Sequence, residues 1–325
     1  MSTLPPEKAK EAAELLQKLR DELGKAVIGQ RGVIEEVLIA LLAEAHVLLE
    51  GVPGLGKTLL VKALAKTFSG EFARIQFTPD LMPSDVVGHT FFESASNTFM
   101  TRKGPVFTHL LLADEINRAP AKTQAALLEA MQEYQVTLEG KSLPLPTPFM
   151  VLATQNPIEQ EGTYPLPEAQ LDRFLLKVCI DYPDIKEEIA LIQLVTNKQS
   201  GAALGVEAVE TLIAARQISA LQRATSFVDV DARVLDYAVR LVRATREHPG
   251  FSIGAGPRGG IALIRAARGA ALLRGENFVT PDDVRRVALP ALRHRVALSP
   301  EAEIEGNTVD ALLRGLFDEV AAPRV

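Results

Sequence analysis

Gly51-Val52-Pro53-Gly54-Leu55-Gly56-Lys57-Thr58 is the stretch whose reading decides the fold. Its spacing, G-x-x-x-x-G-K-T, is that of a P-loop. The residues before it, Val47-Leu48-Leu49, read as a short buried strand, and Leu59 to Phe68 reads as a helix. Strand, glycine-rich loop and helix in that order predict a phosphate cradle. Three glycines let the backbone fold tightly, so successive N–H groups point into one hollow, and the helix adds its positive N-terminal end. Pro53, Gly54, Leu55, Gly56, Lys57, Thr58 and Leu59 are the candidate nucleotide-binding residues. Lys57 is expected to reach the β- and γ-phosphates of ATP, and Thr58 to bind Mg²⁺ through its hydroxyl. A bare glycine-rich turn would explain the glycines but not the Lys-Thr that ends them.

About 55 residues on, His109-Leu110-Leu111-Leu112-Ala113-Asp114-Glu115 reads as a buried central strand ending in two acids. Asp114 is the second expected Mg²⁺ ligand, acting through water. Glu115 is placed to orient and deprotonate an attacking water, which points to hydrolysis rather than phosphate transfer to a small molecule. A third apolar strand, Phe149 to Ala153, ends in Thr154-Gln155-Asn156-Pro157. A polar side chain at that end lies beside the phosphate strand, so Asn156 is a candidate for positioning the water. The competing reading is a helix- or turn-capping asparagine.

Outward from these strands, residues 7–24 carry Ala12, Leu16, Leu19 and Leu23 at helical spacing, and a second helix is expected over 31–44. Ile28-Gly29-Gln30 between them precedes the P-loop strand, a position that suits a wall for the adenine base. Phe91-Phe92-Glu93 and Thr98-Phe99-Met100 flank a turn within residues 85–108, and Gln135 to Leu138 with Ser142 to Leu145 flank Glu139-Gly140-Lys141. Both read as hairpins inserted into the α/β pattern. A surface hairpin needs no function, but exposed aromatics on the first would make it a contact surface. Arg173 stands just before the last strand, Phe174 to Ile180. It is either a solvated charge or, in a ring of subunits, the residue that reaches a neighbour's γ-phosphate.

Tyr182-Pro183-Asp184 marks the expected boundary between an α/β domain, 1–183, and a helical domain, 184–325. Helices are expected at 185–197, 206–221, 231–247, 258–273, 281–297 and 308–320, with no strand among them. Thr280-Pro281-Asp282-Asp283 is a helix start. Arg258 opens another helix, where its charge opposes the helix dipole, and a nucleotide phosphate is the anion that would reconcile it. Asn197-Lys198-Gln199-Ser200 resembles a guanine-reading motif but lacks the aspartate, so it carries no inference of GTP.

Bulk composition narrows the classes. A net charge of −6 with mixed signs excludes a chain built to coat nucleic acid. A single cysteine, Cys179, in an apolar run excludes a disulfide framework or a cysteine-based metal site. The five histidines lack ligand spacing. No apolar run reaches transmembrane length and no signal-peptide pattern is present, so a cytoplasmic protein is expected.

Gly51 to Thr58, Ala113-Asp114-Glu115-Ile116-Asn117-Arg118-Ala119-Pro120, Ala153 to Pro157 and Leu171-Asp172-Arg173-Phe174 together resemble the MoxR family of AAA+ ATPases. The resemblance covers about residues 28–300. It implies an αβα sandwich with a parallel sheet followed by an all-α lid, with nucleotide between the two. It places the first sensor on Asn156, the arginine finger on Arg173 and the second sensor on Arg258, which in the wider group acts on its own or a neighbour's nucleotide. Arg118 is a second candidate at the subunit junction. The first hairpin corresponds to the helix-2 insert and the second to the hairpin before sensor 1. The family implies ATP and ADP with Mg²⁺, a homo-oligomeric and commonly hexameric ring, and chaperone-like remodelling, maturation or metal insertion of client proteins. Partners in it often carry a von Willebrand factor A-type domain.

Two other functions compete. A nucleic-acid motor requires basic hairpin tips, and Arg102, Lys103 and Lys141 are offset by Glu93 and Glu139, so nucleic acid is ranked lower. A nucleotide-gated scaffold without catalysis is opposed by the presence of Lys57 and Glu115.

Overall fold

The structure, a computed structural model, describes residues 3–323 apart from Pro53, Ser96, 156–162 and 197–204. Two N-terminal helices, α1 (Pro6–Ala26) and α2 (Arg31–Leu42), lead into β1 (Val47–Glu50), α3 (Lys57–Thr67) and β2 (Phe72–Gln76). The chain continues through α4 (Pro83–Val87), β3 (Gly88–Glu93), β4 (Thr98–Lys103), β5 (Leu110–Asp114) and α5 (Ala121–Glu133). It then forms β6 (Gln135–Leu138), β7 (Lys141–Pro144), β8 (Met150–Gln155), α6 (Glu168–Leu171) and β9 (Leu176–Cys179).

Five of these strands make a parallel sheet in the order β2-β5-β8-β1-β9. Leu110 to Ala113 and Met150 to Ala153 are fully buried, as strands covered by helices on both faces must be. Parallel pairing sends every carboxyl end to one edge. β1 therefore delivers the P-loop, and β5 its acids, on either side of β8.

The two expected hairpins form. In β3–β4, Phe92 faces Phe99 across the ladder with ring centroids 5.3 Å apart, and both rings are exposed. In β6–β7, Leu138 pairs with Lys141 around Glu139 (φ +47°) and Gly140 (φ +75°). Two left-handed residues in a two-residue loop match the twist of the flanking strands.

Beyond Pro183 come α7 (Ile185–Thr196), α8 (Ala215–Ser226), α9 (Ala232–Glu247), β10 (Phe251–Ile253) and α10 (Pro257–Arg274). The described chain ends with α11 (Pro281–Leu292), β11 (Ala297–Leu298), α12 (Pro300–Ile304) and α13 (Val309–Glu319). Three expectations need correction here. The helix placed at 206–221 begins only at Ala215. Residues 211–213 instead lie along the end of α3, where Leu212 N–H donates to Thr67 O at 2.8 Å and Thr211 Oγ1 donates to Lys66 O at 2.8 Å. Tertiary partners satisfy that backbone, so no helix is required of it. The helix expected to run to 297 stops at Leu292. The third correction is that the helical part contains strands: β10 and β11 pair antiparallel, with Phe251 opposite Leu298.

One apolar cluster runs through α1, α2, α3 and the C-terminal helices. Leu16, Leu19 and Leu23 of α1 are buried in it. α10 comes so close to α2 that a Cβ on Gly269 would stand 2.9 Å from Ile39 O. A second cluster, around Phe77, Leu111, Val151 and Phe174, fills the other side of the sheet.

Candidate functional site

The loop after β1 meets the demands of its sequence. Gly54 (φ +89°) and Gly56 (φ +78°) take left-handed backbone, which glycine adopts without cost. A Cβ at either would meet nothing within 4 Å, so their backbone faces open space. Gly51 has a different reason: a Cβ there would stand 2.5 Å from Ile180 O. α3 starts at Lys57 directly after Gly56, so its first N–H groups point at the same hollow. A cavity of about 420 Å³ opens there, lined by Gly54, Gly56, Lys57, Thr58, Leu59, Lys62, Arg74, Gln76, Asp114, Glu115 and Thr154. The Lys57 amine donates to Gly51 O. Burial lowers its pKa, and the carboxylates of Asp114, Glu115 and Glu50 act against that shift.

The acids are held by residues from the two strands that flank β5. From β8, Thr154 Oγ1 donates to Asp114 Oδ1 at 2.6 Å and accepts from Glu115 N–H at 2.8 Å. From β2, Arg74 donates to Asp114 Oδ2 through Nη2 at 2.6 Å and Nε at 3.1 Å. Gln76 Nε2 donates to Glu115 Oε2 at 2.8 Å, and Arg118 Nε lies 3.1 Å from the same oxygen. Glu115 itself takes φ +56°, an uncommon conformation that turns its carboxylate out of the strand direction and into the cavity. Arg74, Gln76 and Thr154 were not singled out in the sequence. The strand alternation of Arg74 and Gln76 is visible in the sequence, but that their strand and the one ending in Thr154 flank the acids follows from strand order, which the sequence does not display.

Ile28 and Gln30 line a narrow niche with Val27, Gly54, Leu55, Leu59 and Pro183, next to the phosphate hollow. Gln30 Nε2 is committed to Asp181 O at 2.8 Å, so that residue contributes position rather than a free amide. Gly29 (φ +76°) packs against Pro183 and Glu187, where a Cβ would come within 3.0 Å of both.

Arg173 and Arg258 do not line the P-loop cavity. They meet in a second cavity of about 340 Å³, with His46, Tyr134, Asp172, Arg265 and Arg295 among its walls. Arg173 Nη1 donates to Leu128 O at 2.7 Å. Arg258 is 64% exposed along its side chain, with Nη1 3.6 Å from Asp172 Oδ2. The chain thus gathers Lys57, Thr58, Asp114 and Glu115 at one place and two arginines at another. Asn156 and Pro53 lie outside the described residues.

The donor set in the first cavity fits Mg²⁺ with a triphosphate. Thr58 and Asp114 offer hard oxygen ligands on the same hollow, and the glycine backbone beside them is unobstructed. Among the described residues no helix is long and apolar enough to cross a membrane.

Comparison with known proteins agrees with this geometry. Residues 46–176 match the profile of the ATPase family associated with various cellular activities (AAA), and residues 243–316 match the AAA lid domain. The chain is 42% identical to Chaperone MoxR1 of Mycobacterium tuberculosis, over 97% of this chain and 84% of that one. It is 33% identical to Protein MoxR of Methylorubrum extorquens, over 93% of each. A crystal structure of a Cytophaga hutchinsonii protein, 40% identical, superposes with a TM-score of 0.89 over 98% of both chains. The chain belongs to the MoxR family of AAA+ ATPases.

Proposed function

We propose that the protein hydrolyses ATP as one subunit of a closed ring, in which two copies enclose each nucleotide. The observation that carries this reading is the separation of Arg173 and Arg258 from the P-loop cavity. A single chain offers the cradle and acids on one surface and the two arginines on another. A heterologous contact, repeated until the ring closes, brings these unlike surfaces together. The expected core, 1–183, then carries the cradle, and the expected lid, 184–325, carries Arg258.

In this reading Lys57 and the loop N–H groups hold the β- and γ-phosphates. Ile28, Gly29 and Gln30 back the base. Thr58 and Asp114 would hold Mg²⁺, which supplies charge neutralisation on the phosphate oxygens. Glu115 takes the proton of the attacking water as its oxygen bonds the γ-phosphorus, and the bond to the β–γ bridging oxygen breaks to release ADP. Gln76 and Arg118 aim the Glu115 carboxylate. Asn156, one residue past β8, is assigned to the water or the γ-phosphate. Arg173 and Arg258 of the adjoining copy balance the charge that develops on the phosphoryl group. Such arginines have been worth about 10³–10⁵ in rate where measured in other systems.

The work performed is remodelling or maturation of a client protein, with metal or cofactor insertion and a von Willebrand factor A-type partner among the family's options. The chaperone designation of the Mycobacterium relative supports this. The apolar first hairpin supports it too: Phe91, Phe92, Phe99 and Met100 are all exposed, a surface suited to protein rather than to a phosphate backbone.

The test is a mixing experiment with two inactive variants. Glu115→Gln keeps the arginines, and Arg173→Ala keeps the cradle and acids. Mixed and reassembled with ATP, the pair should recover ATPase activity that neither has alone. Activity of Arg173→Ala by itself at the wild-type rate, or no recovery on mixing, overturns the shared site.

A further inference from the structure

We infer that Arg295 is a positioning residue that locks the core arginine Arg173 and the lid arginine Arg258 into one unit, with Asp172 as the link between them. This rests on the shared-site reading above and adds a residue that the motifs do not mark.

Arg295 lies three residues past the end of α11, in the turn before β11. Its side chain is only 4% exposed and reaches into the loop that carries Arg173. Nε donates to Asp172 Oδ1 at 2.7 Å. Nη2 donates to Phe174 O at 2.8 Å and to Asp172 O at 3.2 Å. Nη1 donates to Leu175 O at 3.1 Å and to Ala291 O on α11. One guanidinium therefore grips the backbone on both sides of Arg173 and ties it to the end of a lid helix.

The carboxylate of Asp172 has two oxygens with two partners. Oδ1 takes Arg295, and Oδ2 faces Arg258 at 3.6 Å. Arg258 opens α10, so the lid reaches this carboxylate from two separate elements. Arg173 is held at its tip as well, through Leu128 O on α5. The planar fork of arginine matches this set of acceptors, and a lysine ammonium would keep the charge but not the fork. Removal of a buried charge partner altogether leaves the other unpaired, so the conservative change is the informative one.

The consequence is geometric. Arg295 and Asp172 tie the lid at two elements to the 172–175 loop, which the core holds through Leu128 O and His46 O, so the place of α10 relative to Arg173 is set. Arg173 and Arg258 then arrive at the neighbouring phosphates with a fixed spacing instead of as two independent charges. Catalysis is sensitive to such spacing, since a misplacement of about 1 Å can cost about 10²-fold in rate.

The experiment uses the full chain with two variants, Arg295→Lys and Asp172→Asn, so that a folding failure in one leaves the other to decide. Each is assembled with ATP and assayed for kcat and KM, for binding of a fluorescent ATP analogue, and by thermal melting. The expected result is a fall in kcat of about 10- to 100-fold, with unchanged affinity for the analogue, because the variant's own cradle is intact. Mixing either variant with Glu115→Gln should restore turnover, because the Glu115→Gln copy supplies correctly set arginines. A wild-type kcat in folded variants, or a parallel loss of analogue binding, overturns the inference. The Arg173→Ala and Glu115→Gln mixture separates the two readings. If that mixture fails, the shared site falls and this inference with it. If it recovers while the Arg295 and Asp172 variants do not, only the role of Arg295 is lost.

Discussion

Glu36 sits on α2 against the lid, with Arg293, Arg286, Asp310 and Glu35 around it. Burial pushes its carboxyl up from 4.5 to about 7. Arg293 and Arg286 oppose the shift, and Asp310 and Glu35 add to it. A carboxyl raised in the folded state stabilises most below its unfolded pKa, and that stabilisation is lost as pH rises through the folded value. Stability should therefore fall between pH 4.5 and about 7. Glu36→Gln should flatten that slope and stabilise the protein at about pH 8 by a few kcal/mol at most, read as denaturation midpoints at two pH values. At the same scale, Glu115→Gln should retain ATP while turnover falls by about 10²–10⁴, measured as phosphate release. Lys57, Thr58, Asp114 and Glu115 were legible because each belongs to a run of neighbours whose chemistry is local. Arg74, Gln76, Thr154 and Arg295 were not, because their partners come from strand order and lid packing, which one sequence does not display. Arg173 and Arg258 were legible as candidates, while their separation from the cradle needed three dimensions.

The start of α11 carries a local signal and was readable in the sequence, whereas that of α8, with no side-chain cap at Ala214, was not. Thr280 caps α11, accepting from Asp283 N–H at 3.3 Å, and its own N–H donates to Asp283 Oδ2 at 2.8 Å. Arg274 at the end of α10 forks onto the same carboxylate, at 2.8 and 3.2 Å. Thr280→Ala should cost about 1 kcal/mol, visible as a lower unfolding midpoint. Gly269 had no such local signal, since its reason is the carbonyl of Ile39 across the helix crossing. Gly269→Ala raises helix propensity yet should destabilise by about 1–3 kcal/mol, because overpacking outweighs propensity. The 206–214 stretch misled for a related cause. Val209 and Ile213 are buried as residues of a helix face would be, but on an irregular stretch of chain laid against α3.

For the whole molecule, the proposed division of the site between copies would make turnover depend on assembly. Specific ATPase activity should rise with protein concentration and level off once oligomers dominate, in parallel with mass measured by light scattering. The α/β pattern and the helical second half were plain from the periodicity. The joining of both halves by α1 was not, because a helix shows which face is apolar but not what will cover it. Leu4 N–H donates to Phe227 O at 3.0 Å, and Asn277 Nδ2 donates to Leu4 O at 2.8 Å. The α1 leucines lie in the same cluster as Leu263, Ala266 and Ala270 of α10. A flap that swung clear would strip oil-like surface from both partners at once. Lid motion in the proposed cycle should therefore be a slide of greased neighbours over a short distance, and heating should melt the two halves together, in one calorimetric peak.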